Sequence, residues 1–209
     1  MKVFTSEDLP QRSPEWFAAR LGRLTGSVAA DMMATIKSGE AASRRNLRIA
    51  LALERVTGVS QDDGFITKAM QDGIDREPDA INAYQAKQGV LVDPVGFVQH
   101  DSLMAGYSPD GVVNEFEGLI EVKCPEPSAH WDAINNGVPG KYLHQMRHGL
   151  WITGAQWCDF VSFNPTFPAK LQLVMARVTR DGVDEYAKAA QSFLLEVDAL
   201  VQEIQRRAA

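Results

Sequence analysis

The chain has 209 residues, of which 45% are hydrophobic and 23% are charged, and its formal net charge is −6 at pH 7. It is long enough to bury a substantial core, so we expect one globular domain over residues 1–209. No apolar run reaches the length of a membrane span, the N-terminus lacks a signal-peptide core, and two cysteines make no disulfide framework. These features argue against a membrane or disulfide-stabilised protein and favour the reducing cytoplasm.

Basic residues are concentrated in the N-terminal part of the chain. Residues 1–60 carry nine basic and six acidic side chains, so the remainder is strongly acidic. An acidic protein can still bind nucleic acid if its basic residues line the binding groove. The net charge therefore predicts only modest non-specific affinity for DNA.

The first predicted helix lies within residues 13–22. Its ends are marked by Ser13 as N-cap, Pro14 at the first helical position and Gly22 as the stop. The apolar residues expected to face the core are Trp16, Phe17 and Leu21.

A second helix is predicted to begin at residues 25–27. Free N–H groups, the Ser27 hydroxyl and the nearby Arg20 favour a phosphate site, although a capped helix with a solvated arginine is the ordinary alternative.

Residues 38–58 are predicted to form one long helix, because apolar residues recur there at helical spacing. Three arginines cluster on this helix: Arg44, Arg45 and Arg48. They indicate either an ordinary solvated face or a strip that faces DNA. The Asp-Asp-Gly sequence at residues 62–64 is predicted to be a loop.

A further helix is predicted over Thr67–Gln88, with a break at Glu77-Pro78, because proline cannot continue a helix without a kink. Glu77 would lie at the bend and could turn towards the sheet. Met70 lies one heptad upstream, roughly 10 Å along a helix. Its apolar side chain could separate a terminal base pair, but ordinary core packing is the interpretation that we favour.

The middle of the chain is predicted to form strands and tight turns. These are strands over 91–100 and 103–106, a turn at 108–111, a short strand at 112–113, a hairpin loop at 114–118 and a strand at 119–123. Because alternate residues of a strand share a face, Glu121 and Lys123 point the same way. Ile120 and Val122 point into the core. The hairpin would bring Asp110 to the polar face.

Two carboxylates and one ammonium group are thereby predicted to converge at the edge of a buried sheet. Mg²⁺ prefers oxygen ligands and keeps waters that can become the nucleophile. A lysine beside it can help deprotonate that water or stabilise developing charge. The arrangement suits metal-assisted phosphodiester hydrolysis. Taken alone, however, S-P-D-G is an ordinary turn and E-x-K an ordinary solvated strand face, since short motifs match by chance.

The remaining elements complete an α/β pattern. They are a Gly/Pro-containing loop at 135–140, a helix at 141–153, strands at 157–163 and 171–178, and a helix at 183–207. His144 and His148 have a spacing that could suit zinc, but no further ligands follow, so we interpret them as ordinary helix-face histidines. The whole pattern predicts a mixed central sheet of about five strands flanked by helices.

Several sequence blocks in a fixed order give the chain a specific resemblance. They are residues 13–16, 20–22, 25–27, 73–80, 108–111, 121–125 and 142–151. In this order they resemble the phage lambda exonuclease-like alkaline exonucleases, also called YqaJ-like viral recombinases, within the PD-(D/E)xK nuclease group. The resemblance covers about residues 12–165, leaving the C-terminal strand and helix at 170–207 outside it. It implies a single restriction-endonuclease-like domain.

The resemblance also implies an activity and a set of site residues. It implies a Mg²⁺-dependent exonuclease, with Mn²⁺ as a possible substitute, that digests duplex DNA 5′ to 3′ and leaves a 3′ single strand. The implied catalytic residues are Asp110, Glu121 and Lys123. The implied metal ligands are Glu77, Asp110, Glu121 and the backbone carbonyl of Val122. The residues implied to bind the terminal 5′-phosphate are Arg20, Ser27, Ser108 and Gln145.

The implied setting is phage-type recombination in the cytoplasm of a bacterial host. Members of the family form homotrimeric rings around DNA and work with a single-strand annealing protein. The resemblance therefore implies a homotrimer and an annealing partner for this protein as well. Two alternatives stay open. An endonuclease or junction resolvase on the same fold would cut covalently closed circles. A non-catalytic DNA-binding module would be expected to lose one of Asp110, Glu121 and Lys123, and all three are present.

Overall fold

The computed structural model describes residues 1–61 and 67–209, so the loop predicted at 62–64 lies outside the described residues. The helices are α1 (Pro14–Arg20), α2 (Ala29–Met32), α3 (Ala42–Thr57), α4 (Lys68–Gln88), α5 (Pro127–Asn136), α6 (Gly140–Thr153) and α7 (Val183–Ala208). The strands are β1 (Lys2–Thr5), β2 (Leu24–Thr25), β3 (Val95–Gln99), β4 (Ala105–Tyr107), β5 (Gly111–Val113), β6 (Gly118–Lys123), β7 (Trp157–Phe163) and β8 (Leu173–Thr179). Short 3₁₀ turns lie at Gly26–Val28 and Ala169–Leu171.

In the described part of the chain, the strands form two four-stranded sheets, ordered β1-β3-β4-β2 and β5-β6-β7-β8. Strands β2 and β4 are parallel, as are β6 and β7, and the other neighbours are antiparallel. An antiparallel bridge between Asp93 and Val112 connects the sheets. The predicted α/β class with helices flanking mixed sheets is confirmed. The strand count differs from the expected single sheet of about five strands, because β1 and β2 pair with β3 and β4 far along the chain and form a second sheet.

The helix ends agree with the chemistry of the sequence. The Ser13 side chain accepts a hydrogen bond from the Trp16 N–H at 3.1 Å and so caps α1. Gly58 ends α3 with φ of +69°, the left-handed conformation that glycine adopts without strain. The second predicted helix begins as a 3₁₀ turn at Gly26 and continues as the single turn of α2.

Two predictions about helices are wrong. Helix α4 runs through Pro78 without the expected break. Pro78 lies on the exposed face, where water can satisfy the carbonyl that has lost its N–H partner. Helix α5 occupies a stretch for which no helix was predicted, with Pro127 in its first turn, so only residues 137–139 remain of the predicted loop at 135–140.

Two predictions about apolar side chains are also wrong. Phe17 is 52% exposed, because α1 is short and only Trp16 of its residues is buried. Met70 is 54% exposed at the beginning of α4, so it does not pack in the core. No helix within the described residues is both long and apolar enough to cross a membrane.

Strands β6 and β7 are covered on both faces. Leu119 and Phe160 belong to the main core, which also contains residues of α3, α6 and α7. Ile120 and Val161 face the other way and pack with Tyr84 of α4. Since residue 121 shares a face with residue 119, Glu121 lies within the protein and not on a solvated strand face.

Candidate active site

The predicted carboxylates and lysine come together at the β5–β6 hairpin. Asp110 precedes β5, and its Oδ2 accepts a hydrogen bond from the Val122 N–H at 2.6 Å. Lys123 Nζ forms an ion pair with Glu121 Oε1 and lies 4.0 Å from Asp110 Oδ2. Tyr107 donates its hydroxyl to Glu121 Oε2 at 2.8 Å. The convergence expected from the sequence is therefore present in the structure.

The electrostatics of this cluster are dominated by burial. Burial, assisted by the negative charge of Asp110, raises the pKa of Glu121 to about 7 in spite of Lys123. Burial opposes the charge on Lys123, but the attraction of Glu121 and Asp110 outweighs it and raises the pKa of the ammonium group. One lysine is thus shared by two carboxylates, and its single positive charge cannot neutralise both when both are ionised.

Glu77 is the third carboxylate near the hairpin. It projects from α4, and Arg12 Nη2 donates to both of its oxygens at 3.1 Å. Burial and the charge of Asp110 raise the pKa of Glu77, while Arg12 opposes the change. A Cβ added at Gly73, one turn earlier, would lie 3.5 Å from the Cys124 carbonyl oxygen. The close approach at Gly73 thus brings α4 over the end of β6.

The Val122 carbonyl completes the predicted ligand set. The Val122 N–H points to Asp110 and away from β7. Because the N–H and C=O of one strand residue point to the same side, the carbonyl is directed towards the Asp110 side as well. Three carboxylates and one carbonyl are the oxygen donors that a hard divalent cation prefers.

The chemistry of this donor set fits Mg²⁺, but the side chains are held by other partners. Within residues 1–61 and 67–209, no three His, Cys, Asp or Glu side chains already form a cation site. Arg12 occupies the oxygens of Glu77, and Lys123 occupies one oxygen of Glu121. Burial and, to a smaller extent, the charge of Asp110 raise the pKa of both glutamates, and a divalent cation would offset both effects by favouring the ionised form. Glu77 would have to leave Arg12 to contribute.

A second cluster is centred on Arg20. Its guanidinium lies 3.1 Å from Ser27 Oγ and 3.4 Å from Ser108 Oγ, and stacks on the Trp16 ring at 4.0 Å. Trp16 Nε1 donates to Ser108 Oγ at 2.9 Å. The cluster opens into a cleft of about 830 Å³ lined by residues of α1, β2 and α3. Ser108 lies two residues before Asp110, so the cluster adjoins the carboxylates.

Gln145, the fourth predicted phosphate residue, lies on α6 beside this cluster. A Cβ added at Gly26 would be 3.3 Å from Gln145 Cγ, and Gly26 directly precedes Ser27. All four residues predicted for the 5′-phosphate are therefore neighbours in the fold. Thr25 also belongs to the cluster, since its hydroxyl lies 3.4 Å from Arg20 Nη2 and 3.1 Å from Ser27 Oγ.

Other candidate residues lie elsewhere. Arg44 and Arg48 form ion pairs with both Glu40 and Glu196, which ties α3 to α7, whereas Arg45 is exposed. The interpretation of Arg44 and Arg48 as a DNA-facing strip therefore loses its support.

The two histidines of α6 also differ from each other. His148 is buried between the Tyr186 hydroxyl and the Gly106 carbonyl, at 2.8 and 2.9 Å. His144 is partly exposed. Neither belongs to a metal-binding group among the residues that the structure describes.

Sequence reasoning missed Arg12 and Tyr107. Arg12 has a φ of +70° in an irregular segment, and nothing in its local sequence indicates a contact with residue 77. The sequence gives only a weak indication of a role for Tyr107. A tyrosine that is buried requires a hydrogen-bond partner for its hydroxyl, and Tyr107 directly precedes the turn that contains Asp110.

The fold and this combination of side chains define an α/β domain of the nuclease class that the sequence motifs indicate. The chain belongs to the family of the YqaJ-like viral recombinase domain, whose model matches residues 15–156. No curated protein matches the chain.

Solved structures with this fold include an alkaline exonuclease, LHK-Exo, from Laribacter hongkongensis. It is 38% identical, with 94% of this chain and 98% of that chain covered and a TM-score of 0.84. A structure of LHK-Exo in complex with dAMP gives the same values. A phage-related exonuclease from Haemophilus somnus 129PT is 16% identical over 87% of this chain and 96% of that chain, with a TM-score of 0.67, and supports the fold alone.

Proposed function

We propose that this protein is a Mg²⁺-dependent exonuclease that digests duplex DNA from 5′ to 3′ and leaves a 3′ single strand for phage-type recombination. Its family and its likeness to an alkaline exonuclease establish a DNA exonuclease. The dependence on Mg²⁺, the 5′ to 3′ direction of digestion and the 3′ overhang are the parts that we propose. The observation that carries it is the position of the Asp110–Glu121–Lys123 cluster directly beside the Arg20 cluster.

Glu77, Asp110, Glu121 and the Val122 carbonyl would hold the cation, and Mn²⁺ is the expected substitute. Bound Mg²⁺ would supply an activated water and neutralise charge on the phosphate. Lys123 Nζ is kept protonated by two carboxylates. It can therefore donate a hydrogen bond to the attacking water or to a phosphoryl oxygen as negative charge develops.

The Arg20 cluster accounts for the proposed polarity. Arg20, Ser27, Ser108 and Gln145 present a guanidinium, two hydroxyls and an amide to one region. A doubly charged terminal 5′-phosphate bound there would receive charge-assisted hydrogen bonds. It would place the first phosphodiester bond next to Asp110. LHK-Exo has been solved in complex with dAMP, a deoxynucleotide, which is consistent with a DNA substrate for this chain.

The first test uses linear duplex DNA with 5′-phosphate ends, with Mg²⁺ or with EDTA. We expect mononucleotide release and a remaining 3′ strand in Mg²⁺ only. Covalently closed circles serve as the control, because their cleavage would favour an endonuclease or junction resolvase. Activity in EDTA would refute the metal-dependent proposal.

The second test concerns the terminal phosphate. A bound contact of this kind contributes about 1.5–3 kcal/mol, roughly ten- to a hundredfold in rate if it positions the bond to be cut. Duplex with 5′-hydroxyl ends should be digested more slowly by that factor. In Arg20→Ala the difference should largely disappear, whereas Arg45→Ala, at an exposed arginine, should retain it. If Arg20→Ala slowed digestion equally for 5′-phosphate and 5′-hydroxyl ends, Arg20 would contribute only general electrostatic attraction for DNA.

A homotrimeric ring and a single-strand annealing partner belong to the same proposal through the family. Light scattering at micromolar concentration should give a trimer mass, and a monomer would contradict the ring.

The exposed side chain of Met70, on the helix that carries Glu77, supports the base-pair wedge left open by the sequence. Met70→Ala should then slow digestion of blunt duplex more than digestion of ends that are already frayed.

A further inference from the structure

Tyr107 lies between the carboxylates of the candidate active site and the Arg20 cluster. It is the last residue of β4, directly before the turn that carries Ser108 and Asp110. Its side chain is buried, and its hydroxyl donates to Glu121 Oε2 at 2.8 Å. Lys123 contacts the other oxygen, Oε1. Together the two contacts fix the rotation of the Glu121 carboxylate.

The ring of Tyr107 occupies space that exists because two neighbours are glycines. A Cβ added at Gly26 would lie 2.8 Å from Cδ2 and Cε2 of the ring, and one at Gly149 would lie 2.7 Å from Cε1 and Cζ. Neither glycine has a positive φ, so close approach and not backbone conformation requires glycine there. The ring is therefore enclosed between the turn at Gly26–Val28 and helix α6.

Both elements that enclose the ring carry a residue of the proposed phosphate site. Ser27 directly follows Gly26. Gln145 lies one helical turn before Gly149, on the same face of α6. Tyr107 thus contacts a proposed metal ligand with its hydroxyl and both phosphate-binding elements with its ring.

We propose that Tyr107 is a positioning residue: its hydroxyl orients Glu121 for the cation, and its ring sets the spacing between Glu121 and the 5′-phosphate site. The inference rests on the proposed function, because it links two sites that this function requires. The two effects involve different atoms of one side chain, so single substitutions separate them.

Tyr107→Phe tests the hydroxyl. Loss of a group that orients a metal ligand weakens metal affinity by about 10–100-fold. We expect calorimetry to show Mg²⁺ binding weakened by at least the lower factor, while the rate ratio between 5′-phosphate and 5′-hydroxyl ends stays unchanged. Tyr186→Phe is the matched control, since it removes a buried hydroxyl contact of the same length, 2.8 Å, to His148. Wild-type Mg²⁺ affinity in Tyr107→Phe would overturn the role of the hydroxyl.

Gly26→Ala tests the ring. The added methyl group would displace the turn that carries Ser27, so the preference for 5′-phosphate ends should be largely lost while Mg²⁺ affinity stays at the wild-type value. Gly140→Ala is the control, because a Cβ at this α6 glycine meets nothing within 4 Å. Should Gly26→Ala not fold, Tyr107→Leu removes the ring without a clash and should lose the same preference. Retention of the preference in the folded variant would overturn the role of the ring.

Measurements on the wild-type protein distinguish failure of the proposed function from failure of the inference about Tyr107. Absence of Mg²⁺ binding and of digestion in the wild type would refute the proposed function. A wild type that binds Mg²⁺ and prefers 5′-phosphate ends, with Tyr107→Phe and Gly26→Ala identical to it in both measurements, would refute only the inference about Tyr107.

Discussion

Two carboxylates are buried on neighbouring strands of the second sheet, and their surroundings differ in one respect. Glu121 lies on β6 and Asp159 on β7, on opposite faces, since Ile120 is the partner of Asp159 in the ladder. Each accepts a hydrogen bond from a tyrosine at 2.8 Å, Tyr107 for Glu121 and Tyr84 for Asp159. Each also forms an ion pair with a basic residue.

The difference is how many negative charges share the basic residue. Arg177 donates to both oxygens of Asp159, at 2.7 and 2.8 Å, and is stacked on Trp157. Lys123 instead serves Glu121 and Asp110 together. Burial alone therefore does not make a carboxylate a candidate metal ligand. The Asp159 cluster is balanced and stabilises the fold, whereas the Glu121 cluster has negative charge left for a cation.

The largest expected effect comes from neutralising the two carboxylates in turn. Glu121→Gln should abolish cleavage in Mg²⁺, because an amide cannot replace an anionic oxygen ligand. Asp159→Asn should keep the rate near that of the wild type but lower the free energy of unfolding by about 1–3 kcal/mol. Single-turnover digestion and urea unfolding measure the two quantities. An active Glu121→Gln variant, or an inactive but folded Asp159→Asn variant, would contradict this distinction.

The next effect comes from the basic partners. Lys123→Ala should reduce the cleavage rate by roughly 10²-fold or more and leave DNA binding nearly intact. Arg177→Ala should reduce stability, because Asp159 would keep only the contact with Tyr84, and should leave the rate unchanged. Digestion and DNA binding by fluorescence anisotropy provide the readouts. Near-wild-type turnover in Lys123→Ala would remove the lysine from the chemistry.

A smaller effect is expected from the buried neutral group His148. Its Nε2–H donates to the Gly106 carbonyl, so Nδ1 accepts from the Tyr186 hydroxyl. Burial lowers the pKa of His148 from its ordinary value of 6.5 to about 4. Between these values the unfolded chain binds a proton that the folded protein does not. Stability should therefore fall as the pH falls through this interval, by up to about 1.4 kcal/mol per pH unit.

Urea unfolding at several pH values checks this expectation. His148→Gln should show a shallower dependence on pH than the wild type, because glutamine does not titrate. His144→Gln, at the partly exposed histidine on the same helix, should resemble the wild type more closely. Parallel curves for the wild type and His148→Gln would show that His148 does not contribute.

The sequence predicted the parts of this site that depend on local geometry. Asp110, Glu121 and Lys123 are joined by one short hairpin, so turn residues and strand alternation sufficed to bring them together. Strand β7 was predicted with its observed bounds, because turn-forming residues, Gly154 before it and Asn164-Pro165 after it, mark its ends.

Contacts between distant segments could not be predicted in this way. Arg12 reaches Glu77 across 65 residues, and Tyr107 meets Gly149 on a different element. Pairing of β1 with β3 is also non-local, which is why the sheets were miscounted. Helix α5 has few apolar residues, so its periodicity was too weak to indicate a helix. The exposure of Phe17 depends on what covers α1, and the local pattern carries no information about that.

The loop between β5 and β6 has a consequence for protein engineering. Asn114, Glu115 and Phe116 have φ values of +48°, +52° and +73°, three successive left-handed residues without glycine. The loop is mostly exposed, which would ordinarily recommend it for insertion of a tag or label. A change of one residue in its length would shift β6 by one position and turn Glu121 to the opposite face of the sheet. Substitution with glycine at the exposed Glu115, which relieves the strain, should be tolerated, whereas insertion should not.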